Sequence, residues 1–214
     1  MIDEFPQRDS VENRSERAEI VREDIFHKAI SLFDKKGFSG TSMNDIAAIC
    51  GVTKPTIYYY FKNKSDFLET LYFKKNIGFY EISEKEFRRA APAHDRLRSV
   101  LRMLAVRSVD EQVFLGVLTR ERRELSKETR AAVAKRERSY EASVKALIEE
   151  AQRDGAIAKA DPDFMTLTII GLLTSVYRWA KHYQKPTDEI ADELLNLIFN
   201  GIIAATEKQD ECSR

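Results

Sequence analysis

Residues 41–64, TSMNDIAAICGVTKPTIYYYFKNK, admit few folds. They encode two short amphipathic helices on either side of a glycine turn. Thr41 or Ser42 caps the first helix, and Asp45 stands three residues after Ser42 in capping-box position. Ile46, Ala47 and Ile49 form its apolar face. Gly51 ends it, because the residue after a helix end often needs positive φ. Thr53 caps the second helix and Pro55 sits in its first turn, where the missing N–H costs nothing. Ile57 and Phe61 lie one helical turn apart and face inward. The other face carries Lys54, Thr56, Tyr58, Tyr59 and Tyr60, with Lys62 and Lys64 following. Phosphate-seeking donors beside flat rings suit the major groove of DNA. An ordinary αα-hairpin with a surface tyrosine cluster is the plainer reading of the same pattern.

Charge narrows the possibilities. The formal net charge of the 214 residues is zero, so any nucleic-acid contact comes from a local patch. One such patch is Lys35, Lys36, Lys54, Lys62 and Lys64, opposed in that window only by Asp45. Eight glycines and five prolines are few, which favours helices over a turn-rich β fold. Cys50 and Cys212 make a poor disulfide framework, and a reducing cytosol is the simplest compartment. Cys50 reads as a small buried thiol; the sequence offers a redox switch no nearby partner. His27, His94 and His182 show no metal-ligand spacing, and no nucleophile–base pair or phosphate-cradling glycine loop appears. No catalytic residue, metal or cofactor is expected. The longest uncharged run, Phe164 to Tyr177, is shorter than the roughly 20 residues of a membrane span and reads as a buried helix.

The periodicity predicts an all-α chain of about nine helices. Residues 1–15 are polar and read as a disordered tail. Helix 1 runs from about 16 to 36, with Ile25, Ala29, Leu32 and Phe33 inside and Gly37 as its stop. With the two short helices it makes a helix-turn-helix domain over 16–64. A connecting helix 4 occupies 65–90, its stripe of Phe67, Leu68, Leu71 and Tyr72 packing back on helices 1 to 3. Ala91-Pro92 breaks the chain, and five further helices build a C-terminal domain over 91–208. Asp161-Pro162 and Thr187 start helices 8 and 9. The segment 119–139 is dense in both charge signs and reads as a solvated helix face.

The order of these residues resembles the TetR family of bacterial transcriptional repressors. The likeness covers roughly residues 18–70: the first helix, Gly37-Phe38, Thr41-Ser42, Asp45-Ile46-Ala47, Gly51-Val52-Thr53, Thr56 through Phe61, and Lys64. It implies that the second short helix reads double-stranded operator DNA. Lys54, Pro55 and Thr56, after the cap Thr53, meet base edges: Lys54 donates to guanine, and the Pro55 ring touches a thymine methyl. Tyr59 packs on backbone or base, while Tyr58 and Tyr60 donate to phosphates. Lys64 binds a phosphate, and Ser42 and Asn44 supply further contacts. One tyrosine should instead pack mainly into the three-helix core, and Tyr58 is the expected one. Many relatives have glycine where this chain has Pro55, so the local contact differs.

Helices 8 and 9 are more apolar than a surface helix requires, which fits either packing within one chain or a subunit interface. The resemblance implies the interface, a homodimer through Leu172, Leu173, Val176, Leu194, Leu197 and Ile198. Two recognition helices about 34–36 Å apart then reach successive major-groove faces of a palindrome. The C-terminal half is loosely similar to the subset of these repressors that respond to acyl-CoA thioesters. An apolar channel among helices 5 to 8 would take an acyl chain, with Phe114, Leu118, Tyr140, Met165, Ile169 and Trp179 as its candidate lining; core packing is an equal reading of the same residues. Arg120, Arg122, Arg123 and Arg178 would meet a charged head group. Helix 4 is expected to be the only element spanning both domains and to carry the coupling. The expectation is a cytoplasmic, ligand-responsive repressor with no membrane partner. A drug-sensing repressor of the same fold is the alternative, and a helical enzyme or scaffold is less favoured.

Overall fold

A computed structural model describes the backbone of residues 9–201 and the side chains of 21–73, 76 and 78–201. Among these residues there are helices and no strands. In chain order they are α1 (Asp9–Lys36), α2 (Met43–Cys50), α3 (Lys54–Tyr60), α4 (Lys64–Phe87), α5 (Ala93–Asp110), α6 (Gln112–Glu121), α7 (Lys127–Arg153), α8 (Pro162–Ser175) and α9 (Thr187–Asn200). Short 3₁₀ turns follow α6 and α8. α1 begins seven residues before its expected start, so residues 9–15 are helical rather than a tail; 1–8 and 202–208 lie outside the described residues.

The chain forms two compact units, and they do not divide at Ala91-Pro92. The first comprises residues as far as Phe79 together with Val113–Lys135; the second comprises Tyr80–Gln112 and the chain from Arg136 onward. Charge density in 119–139 concealed two core residues, Leu125 and Val133. Phe114, Val117, Leu118, Leu125 and Val133 are buried in one core with Ile25, Phe26, Phe33, Ile46, Ile57, Phe61 and Phe67. Both α4 and α7 therefore contribute residues to each unit, and α4 is not alone in that respect.

Phenylalanine edges knit the first unit. Phe61 and Phe67 meet edge-on at 4.5 Å between centroids, Phe26 and Phe67 at 5.3 Å, and Phe33 and Phe67 at 5.8 Å. Such pairs each add about 0.5–1.5 kcal/mol beyond area burial. Phe67, in the first turn of α4, is thus the residue against which α1 and the end of α3 are set.

In the second unit α5 is the central rod. Its buried Leu97, Val100, Leu101 and Leu104 lie on the helix that packs against α8 and α9. Outside that core, Arg102 bonds Asp188 at 2.7 Å and Asp192 at 3.0 Å, so α9 is held to α5 in one register. The break at Ala91-Pro92 is closed by Arg96, which donates to the carbonyls of Phe87 and Ala91 and to Glu150.

Candidate nucleic-acid interface

The local chemistry of α2 and α3 follows their capping residues. Ser42 is the N-cap of α2: its hydroxyl accepts from Asp45 N at 3.1 Å while the Asp45 carboxylate accepts from Ser42 N at 2.8 Å. The Ser42 hydroxyl and N–H, the larger causes, hold the Asp45 carboxyl below its usual range, with Lys36 3.8 Å away adding to the effect. Gly51 closes α2 at φ +69°, a left-handed conformation that its lack of Cβ permits. Thr53 caps α3 and shares a 2.8 Å hydroxyl–hydroxyl bond with Thr56. Buried Ile57 and Phe61 fix the inward side of α3, so its opposite side is presented outward.

That outward side brings together most of the expected DNA residues. Thr53, Lys54, Pro55, Tyr58 and Tyr59 are exposed, Thr56 is half-buried, and Ser42 and Asn44 are exposed at the start of α2. Tyr59 is 82% exposed, an unusual state for an aromatic side chain, with the ring of its neighbour Tyr60 5.1 Å away edge-on. The Lys54 ammonium stands 5.8 Å from the Tyr58 ring.

Two expectations need correction. The packing tyrosine is Tyr60, which is half-buried against the first core, whereas Tyr58 is exposed. The helical register decides this: Tyr60 adjoins Phe61 and follows Ile57 by three, whereas Tyr58 is a quarter-turn outside that stripe. The Lys64 ammonium is turned into the fold rather than outward. It donates to the carbonyls of Phe38 and Thr41, the latter at 2.8 Å, and sits 4.2 Å over the Phe38 ring. It anchors the loop that leads into α2. From the other side, the Glu121 carboxylate of α6 accepts from Phe38 N at 3.3 Å. Sequence reasoning missed Glu121 because nothing in spacing links positions 83 residues apart.

Cys50 is half-buried, and burial pushes its thiol above the ordinary range despite the opposing effect of Lys28. A protonated thiol is a poor nucleophile. Cys212 lies outside the described residues.

The residues expected around an effector are divided between the two units. Phe114 and Leu118 are core residues of the first unit, with Arg122 and Arg123 on the turn beside them. Tyr140, Met165, Ile169, Arg178 and Trp179 belong to the second unit. There Tyr140 is buried, its hydroxyl 3.4 Å from the Val100 carbonyl, and burial raises its phenol well above the usual value. Met165 and Ile169 are half-buried, and Trp179 is exposed edge-on to Tyr183. Arg178 is exposed beside Tyr177. Two polar atoms that sequence did not single out, Ser108 Oγ and Gln112 Oε1, are buried without a hydrogen-bond partner. They stand four residues apart where α5 passes into α6.

The apolar residues of α8 and α9 divide in two. Leu173, Val176 and Leu194 are buried within their own unit, so they are core and not outward contact residues. Leu172 and Leu197 are exposed and Ile198 is half-buried. Phe164 at 69% and Leu167 at 62% exposure extend the outward apolar face beyond the expected set. A helix apolar all round shows that both sides want cover but not which residue lies on which side.

Among the described residues no helix is long and apolar enough to cross a membrane. No group of three or more His, Cys, Asp or Glu residues among them is placed to hold a metal ion.

Comparison with known proteins extends the geometry. Residues 25–71 match the family described as bacterial regulatory proteins, tetR family, and residues 90–202 match the tetracyclin repressor-like C-terminal domain. The chain is 26% identical over 183 residues to the fatty acid metabolism regulator protein of Bacillus subtilis, spanning 83% of this chain and 93% of that one. It is similar to the crystal structure of AibR in complex with isovaleryl coenzyme A and operator DNA, with TM-score 0.68, 27% identity and coverage of 84% and 98%. The TetR family transcriptional regulator PfmR from Thermus thermophilus shares the fold at TM-score 0.74 and 23% identity, with coverage of 84% and 98%. Matched at both its helix-turn-helix and its C-terminal half, the chain belongs to the TetR family of helix-turn-helix transcriptional regulators.

Proposed function

We propose that this regulator is a homodimeric repressor that binds a palindromic operator and leaves it when an acyl-CoA occupies the C-terminal half. The observation that carries the DNA reading is the outward face of α3, where Lys54, Pro55 and the 82%-exposed Tyr59 stand together. Lys54 then contributes base readout and Tyr59 stacking or phosphate contact. The dimer reading rests on the exposed Phe164, Leu167, Leu172 and Leu197 of α8 and α9, an apolar set that water does not favour. The effector reading rests on the likeness to a fatty acid metabolism regulator and to a protein crystallised with isovaleryl coenzyme A. The unpaired Ser108 Oγ and Gln112 Oε1 support it, since a ligand amide or hydroxyl would satisfy both.

A second reading has its own observation. In the second unit Tyr80, Phe87 and Tyr140 border a cavity of about 300 Å³ that also takes Glu81 and Glu84, two carboxylates against the one guanidinium of Arg136. Aromatic faces with carboxylates suit an organic cation, so a drug-sensing repressor is the alternative. Operator release by acyl-CoAs, free fatty acids and planar cations decides between them. Release by acyl-CoA alone supports the proposal; release by cations alone moves the protein to the drug-sensing class; release by none refutes ligand control.

A further inference from the structure

A hollow of about 600 Å³ opens on the first unit where α6 turns into α7, lined by Thr119, Arg120, Arg122, Arg123 and Arg130. Four of its five lining residues are cationic and none is acidic, in a chain whose net charge is zero. Like charges lining one hollow repel one another, and an anion among them relieves that repulsion. Part of the cluster is held in place. Arg130 donates to the backbone carbonyls of Arg123 and Leu125, and Arg120 bonds Asp34 at 2.7 Å. Arg123 is exposed, and no carboxylate among the described residues pairs with its guanidinium. Guanidinium groups bind phosphate oxygens in parallel pairs. The volume lies in the range of small-molecule sites and exceeds what a single phosphate fills.

We propose that this hollow binds a diphosphate-bearing small molecule and that its occupation weakens operator binding. The route is short and lies within one unit. Arg120 is tied to the last turns of α1 through Asp34. Glu121, the next residue, accepts from Phe38 N, and Lys64 takes the Phe38 carbonyl. An anion that recruits Arg120 from Asp34 loosens the end of α6 and with it the loop leading into α2. Coupling then reaches the DNA-reading helices through α6 as well as α4. The proposal rests on the ligand-responsive reading above and places the charged end of the effector; Arg178, in the other unit, is not part of it.

Binding of pyrophosphate, ADP and CoA to the full-length protein, followed by calorimetry, tests the site, and operator affinity is measured with each. Arg123→Ala should weaken all three by roughly ten- to a hundredfold, the loss of one charge-assisted contact. It should leave ligand-free operator affinity and its salt dependence as in wild type. Asp34→Asn, which frees Arg120, should tighten the anions. CoA binding more tightly than ADP assigns the hollow to the head of a thioester; equal binding assigns it to a nucleotide. Pyrophosphate that does not bind, or binds wild type and Arg123→Ala alike, overturns the site. Anion binding that leaves operator affinity unchanged overturns the coupling. If Arg123→Ala lowers the salt slope on DNA, the arginines are DNA contacts and the proposal is wrong. Operator release by a free fatty acid while pyrophosphate fails to bind leaves ligand control intact and removes only the hollow.

Discussion

Lys64 offers a sharp test of how the DNA-reading face is held. Its ammonium gives two charge-assisted hydrogen bonds to Phe38 and Thr41 carbonyls and lies over the Phe38 ring. Charge-assisted bonds contribute about 1.5–3 kcal/mol each, and the half-buried setting argues for the low end. A partly exposed cation–π contact adds about 0.5–1 kcal/mol. Lys64→Met keeps the aliphatic stem against Phe38 and removes only the charge, so it should destabilise the protein by roughly 3.5–4 kcal/mol. Urea unfolding should show this as a lower midpoint at unchanged slope. Operator binding, measured from low to high salt, should weaken while its logarithmic salt slope stays that of wild type. A lysine whose charge is spent on a DNA phosphate behaves oppositely: stability is untouched and the slope falls by about 0.9. That second pattern would refute the anchoring role and restore Lys64 to the DNA contact set.

Three further expectations follow from the same geometry. Tyr59→Ala should lower operator affinity with little effect on stability, whereas Tyr60→Ala should lower stability by about 1–3 kcal/mol because it uncovers the first core; the reverse assignment in paired unfolding and binding assays would put Tyr60 outward. Leu167→Glu on the exposed face of α8 should give a folded monomer by sedimentation, while Leu194→Glu should unfold the second unit, since Leu194 is buried; a dimer surviving Leu167→Glu would move the interface elsewhere. Asp45 and Glu69 are held below the usual carboxylate range, Asp45 mainly by Ser42 and Glu69 mainly by the Ser126 N–H. Their contribution is present above the unfolded carboxyl pKa and is lost as pH falls through the depressed folded values. Acid unfolding of Asp45→Asn and Glu69→Gln variants should therefore be less pH-dependent than wild type.

The helices were legible wherever one element carried its own caps and stripe. Ser42 with Asp45, Gly51 and Thr53 bracket α2 and α3 from local chemistry alone, and the pattern TIYYYF sorts inward Ile57 and Phe61 from outward neighbours. What stayed hidden was non-local. The role of Lys64 depends on which carbonyls lie within reach of its ammonium, and those belong to residues 23 and 26 positions earlier. Phe114 and Leu118 look the same in sequence whether they line a ligand channel or complete a core. In α8, apolar residues on every side leave no polar face to mark the outside, so Leu173 and Leu172 could not be told apart before their burial was seen.

The first unit is discontinuous in the chain, and this bears on how the protein is made. Synthesis delivers α1 to α4 first, but Leu125 and Val133, which help close their core, lie 38 and 46 residues beyond the end of α4. Contacts of such separation are slow to form because the intervening chain must be closed into a loop. A nascent head therefore has an incomplete core until Val133 has emerged. The same arrangement limits modular reuse: a chimera that joins this reading head to another sensor after residue 90 leaves behind the segment that finishes it, and only a graft carrying 113–135 transfers a complete unit.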